Sequence, residues 1–135
     1  MFIHLNPIGG IAGDMFIAAM LDAWPELKPK VFDAMRQTGL PSDWSLELNS
    51  ASSSSITGKK LIITGDANNT HFSTGNYKDI CNRLSDSALP PAVIERAIDI
   101  FHRLAVAEGA VHGKSIDAVH FHEIADWDSI CDIVG

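Results

Sequence analysis

The chain predicts an α/β (or α+β) domain, a small sheet of about four strands flanked by about five helices. Three observations carry this expectation. Short stretches alternate apolar and polar residues, as half-buried strands do. Longer stretches repeat apolar residues at i, i+3, i+4 and i+7, as helices packed on a core do. Gly and Pro clusters mark the boundaries between them. The 135 residues suit one domain spanning 1–135.

Taken in order, "FIHLN" (2–6) reads as a buried strand. "PIGGIAG" (7–13) is a tight loop, because its glycines permit backbone conformations that other residues resist. "DMFIAAMLDAW" (14–24) is a helix apolar on most faces, with Asp14 at its positive end. Pro25 stops it. Pro29 opens a second helix, 29–38, closed by Gly39 and Pro41.

"WSLELN" (44–49) alternates Trp44, Leu46 and Leu48 against Ser45, Glu47 and Asn49, a strand with one wet face. "SASSSS" (50–55) is a loop or an extension of that strand. "KKLIITGD" (59–66) is the third strand and 67–76 a loop. A short helix follows at 77–87, then the longest one at about 91–110. Its Ile94, Ala97, Ile98, Phe101, Leu104 and Ala105 form one stripe. Gly109 and Gly113 are candidate terminators. "IDAVHFHEI" (116–124) alternates as a fourth strand, and 126–134 is the last helix. The apolar "DIVG" ends without a cap, which suggests a fragment of something longer.

Charge narrows the function. There are 17 Asp plus Glu against 10 Lys plus Arg, a net −7. No basic stripe exists to follow a nucleic-acid backbone, so nucleic acid is excluded as a partner and cations are favoured. No apolar run approaches the roughly 20 residues that cross a bilayer, so no membrane partner is expected. Two distant cysteines, Cys81 and Cys131, exclude a cysteine zinc cluster. Without a signal peptide they read as reduced thiols of a cytoplasmic protein.

Two stretches hold candidate chemistry. In "NPIGGIAGDM", Gly9, Gly10 and Gly13 form a strand–loop–helix layout that can offer N–H groups to a phosphate. The spacing matches neither a Walker A loop nor a dinucleotide fingerprint. Asp14 would repel a bare phosphate unless a divalent metal lay between them. A plain capped turn explains the same residues.

In "AVHFHEIADWDSI", His120 and His122 share one face of a strand and can ligate one metal, with Glu123 completing the set. Asp128 and Asp132 stand i, i+4 on one helical face, and Asp126 is a candidate N-cap. Spacing leaves a metal site and a capped strand-to-helix turn both open. His71, in the polar loop, is either a further ligand or simply solvated. His112 suits a helix C-terminus.

These residues resemble a known family. "GGIAGDMFIAAMLDA", "DSALPPAVIERAIDIFHRLA" and "AEGAVHGKSIDAVHFHEIADWDSICDIVG" are similar to the N-terminal part of the LarC-type nickel-insertion proteins of lactate racemase maturation. The resemblance covers nearly the whole chain. It implies a cyclometallase, of the lyase class. Such a protein inserts nickel into pyridinium-3,5-bisthiocarboxylic acid mononucleotide and makes the nickel-pincer nucleotide cofactor. CTP is consumed with Mn or Mg, at a C-terminal nucleotide-binding domain beyond this chain.

Carried over by residue, the Gly-rich turn falls on Gly9, Gly10, Gly13 and Asp14. The His-rich motif falls on His112, His120, His122 and Glu123, with Asp128 following. The chain departs from the family at Asn6, where Asp is usual, and in the loop before "YKDI", which carries only His71 of a commonly His- and Arg-rich stretch. The resulting expectation assigns catalytic roles to Asp14 and Asp128 and phosphate binding to Gly9, Gly10 and Gly13. His120, His122, Glu123 and His71 are assigned to metal. Self-association fits as well. The competing readings are a non-catalytic metal-binding or assembly module and a metal-dependent hydrolase.

Overall fold

Among the described residues, five α-helices lie where the residue pattern puts them, four of them started by a capping side chain or a proline. The computed structural model describes residues 2–53, 55–65, 75–121 and 126–135. Helix α1 spans Gly13–Ala23, and a 3-10 turn at Pro25–Leu27 leads into α2, Lys28–Gln37. Helix α3, Tyr77–Ser85, starts where the Asn76 side chain accepts the Lys78 N–H at 2.9 Å. Helix α4, Pro91–His112, has Pro in its first turn and ends at Gly113, whose φ of 63° gives the left-handed stop. Helix α5, Trp127–Val134, is capped by Asp126, which accepts the Ser129 N–H at 3.1 Å and its hydroxyl at 2.9 Å.

Among the described residues the sheet has two strands rather than about four. Strands β1, Ser45–Ser53, and β2, Ile56–Thr64, form an antiparallel hairpin with Leu46 opposite Ile63 and Leu48 opposite Leu61. Those two pairs lie on the face turned to the core. The serine run continues β1 as far as Ser53, and Ser55 in the turn takes a φ of 70°.

Two strand expectations are corrected. Residues 2–6 have no strand beside them among the described residues, so the backbone ladder that would make them a strand is missing. Residues 116–121 form a 3-10 turn, Ile116–Ala118, followed by one antiparallel bridge between His120 and Asn76. That bridge is held by Phe121 N–H to Gly75 O at 2.8 Å and Tyr77 N–H to Val119 O at 3.2 Å. It cannot lengthen past Tyr77, because the partner segment turns into α3 there. Residues 122–124 of that expected strand lie outside the described residues.

The core joins α1, α2, α3, α4 and α5 through Leu21, Met35, Ile80, Leu84, Phe101 and Ile130. Phe121 sits beside Phe101, ring centroids 6.3 Å apart. Arg36 ties the loop after α2 by donating to Pro41 O at 3.1 Å and Trp44 O at 2.6 Å. Among the described residues, no helix is long and apolar enough to cross a membrane.

Candidate metal and substrate site

The first turn of α1 meets the side of α5 that carries Asp128 and Asp132, and the contact is made by a glycine and carboxylates. A Cβ placed on Gly13 would lie 2.6 Å from the Asp132 Cβ. Only a residue without a side chain therefore admits α5 this close. The i, i+4 spacing of Asp128 and Asp132 sets both carboxylates on the side of α5 that faces Asp14.

The electrostatics follow from that crowding. Burial, then the neighbouring Asp128 and Asp14 charges, push the Asp132 carboxyl up to about 6, against a smaller opposing pull from the Asp14 backbone N–H it accepts. Its Oδ1 is buried without a hydrogen-bond partner among the described residues. Asp128 is raised as well, chiefly by burial and then by Asp126 and Asp14. Asp14 Oδ1 accepts the Met15 N–H at 2.8 Å. The four aspartates thus concentrate negative charge that a cation would relieve. Carboxylate oxygens suit hard divalent ions such as Mn or Mg, and imidazoles suit nickel. Among the described residues, no three His, Cys, Asp or Glu side chains converge as a finished cage for an ion.

The Gly-rich turn is built as a turn. Gly10 N–H donates to Pro7 O at 3.2 Å, and Gly9 and Gly10 take φ of 88° and 107°. Space is open around both. Gly13 instead faces Asp132. Two N–H groups at the start of α1, those of Asp14 and Met15, are already given to carboxylates, and an arriving phosphate would need a cation between.

The histidine motif lies elsewhere on the chain. His120 is exposed on the bridge to Asn76. It lines a water-sized cleft of about 20 Å³ with Glu108, His112, Lys114 and Val119. His112 ends α4, and its Nε2 lies 3.1 Å from Glu108 Oε1. His122, Glu123 and His71 lie outside the described residues. The structure therefore brings Asp14 and Asp128 together and sets His120 beside His112.

The sequence pairs Asp132 with Asp128 along one helical face without assigning it a role, and it gives no reading of Glu108, whose i, i+4 relation with His112 was the available signal. Cys131 is no nucleophile. Burial first, then Asp128 and Asp132, push its thiol up to about 12.

Comparison with known proteins points to one family. A family model described as nickel insertion protein matches residues 3–135. A relative from Myxococcus xanthus (strain DK1622), named for nickel insertion, is 42% identical over 137 residues, covering 98% of this chain and 34% of its own length. A relative of the same name from Geobacter metallireducens is 39% identical, over 98% of this chain and 33% of its own. One from Roseiflexus castenholzii is 35% identical, over 98% and 32%. No solved structure matches. The chain spans about a third of the length of the curated relatives it matches. On a match running from residue 3 to residue 135, the chain belongs to the nickel insertion protein family and represents its N-terminal portion.

Proposed function

We propose that this chain handles metal and substrate in a protein that inserts nickel into pyridinium-3,5-bisthiocarboxylic acid mononucleotide. The product is the nickel-pincer nucleotide. Nickel is substrate here. CTP and its Mn or Mg are assigned to the C-terminal portion, as the sequence resemblance implies.

The observation that carries this reading is the meeting of Asp14, Asp128 and Asp132 at Gly13 in a chain of the nickel insertion family. Cyclometallation replaces a ring C–H bond with a C–Ni bond and releases one proton. A carboxylate poised at about 6 is ionised at neutral pH and basic enough to take that proton. His120, with His122 and Glu123, would hold nickel before transfer, and the Gly9–Asp14 turn would meet the mononucleotide phosphate across a cation.

Titration calorimetry with Ni tests the metal half. The unmodified chain is expected to bind. Joint replacement of His120→Ala and His122→Ala is expected to weaken binding by at least about tenfold, as loss of ligands does. Unchanged binding would sink the histidine assignment. Joint Asp128→Asn and Asp132→Asn separates the two regions: an effect on nickel turnover without an effect on nickel affinity is expected of a proton acceptor.

A further inference from the structure

An apolar groove of about 320 Å³ runs between the N-terminal segment, α1 and α2, walled by Ile3, Phe16, Met20, Trp24, Leu27 and Gly135. Glu26 is the one charged residue in its lining. Beside it the chain holds apolar side chains in water over a single stretch. Phe2, Ile3, Leu5, Ile8, Ile11, Met15 and Phe16 are all exposed, Phe2 and Ile8 almost completely. Scattered exposed apolar residues are ordinary, but seven within fifteen consecutive positions form a patch that calls for a cover.

Two further facts say what covers it. The groove reaches the backbone at Gly135: a Cβ there would meet Met35 and Ile17, so the main chain at this position enters between α1 and α2. In the relatives, about two thirds of the polypeptide lies outside the region this chain matches, and this chain corresponds to their N-terminal portion. Polypeptide continuing from the position of Gly135 therefore starts inside the groove.

Segment 2–6 adds the third element. It has alternating strand-forming residues but no neighbouring strand among the described residues. A strand laid beside it would take up its backbone groups, the usual gain when a peptide extends a sheet edge.

We propose that this groove and segment 2–6 are the seat of the polypeptide that follows the position of Gly135 in the longer relatives, and that residues 2–6 become a strand by pairing with it. The inference rests on family membership and is independent of the metal assignment above.

Hydrogen exchange tests it on two intact proteins, this chain and the full-length Myxococcus xanthus relative. In this chain alone, the amides of residues 3–6 are expected to exchange at close to unprotected rates, while those of α4 stay slow. In the full-length relative, the aligned amides are expected to slow by about 100-fold or more. Equally fast exchange in both proteins overturns the proposal. Slow exchange in this chain that disappears on dilution also overturns it, because the occupant is then a second copy. A relative carrying Asp at the position aligned with Phe16 is expected to lose protection at the residue 3–6 positions while α4 keeps it. Protection that survives that change overturns the placement in the groove.

Discussion

Replacing Trp127 with alanine is expected to destabilise the chain by about 3–5 kcal/mol, the range for truncating a buried aromatic residue. Trp127 is 2% exposed and opens α5. The Arg83 guanidinium lies 5.2 Å from its ring centroid, and its Cη2 packs toward Gly39. Alanine would leave a void that α3 and α5 cannot both collapse into. Domains of this size unfold with about 5–15 kcal/mol in total, so the variant is expected to be partly unfolded at room temperature. Urea titration followed by far-UV dichroism reads the loss. Trp127→Phe should recover most of it. A loss below about 1 kcal/mol would show that α5 does not depend on this anchor. The effect should reach the acidic cluster too: with α5 unseated, Asp132 leaves Asp14 and its carboxyl returns toward the ordinary range.

The second large effect is electrostatic and depends on pH. Folding raises the Asp132 pKa from an ordinary 3.8 to about 6. The folded state then holds the proton more tightly than the unfolded one. The stabilisation from that proton is fully present below about pH 4 and is lost as pH rises through about 6. At pH 7.5 the chain carries the whole burden of the crowded charge.

Asp132→Asn removes that burden. The variant is expected to equal the parent near pH 4 and to exceed it at pH 7.5. A gain on the order of 1–2 kcal/mol is reasonable for a site partly screened by solvent. Thermal melts of both proteins from pH 4 to 8 give the difference directly. A variant less stable than the parent at pH 7.5 would show that the Asp14 N–H bond outweighs the repulsion. Mn or Mg at the cluster should stabilise the parent and leave the variant's melting temperature nearly unmoved.

The helices were legible because their signals are local. Asn76 and Asp126 cap, Pro91 starts and Gly113 stops, each through its own side chain or its lack of one. The hairpin was legible because Leu46 and Leu48 face Leu61 and Ile63 with matching alternation. Segments 2–6 and 116–121 read as strands by the same alternation, yet a strand is a property of two segments. Residues 2–6 have no neighbouring strand among those described, and the neighbour of residues 119–121 turns into α3.

The site divides the same way. Asp128 and Asp132 are readable as a pair along one helix. Their meeting with Gly13 and Asp14 joins the two ends of the chain, which no local pattern reports. The histidine half of the motif was read from residue type and spacing, and of its expected ligands only His120 lies among the described residues.

The contact between Gly13 and Asp132 carries a consequence for how such a chain can change over time. No room exists for a methyl group at position 13 while an aspartate stands at 132. Bulk at one position must be matched by shrinkage at the other. The two positions are therefore expected to vary as a unit: only glycine at 132 removes the Cβ that blocks a side chain at 13, and any larger residue there keeps the glycine in place.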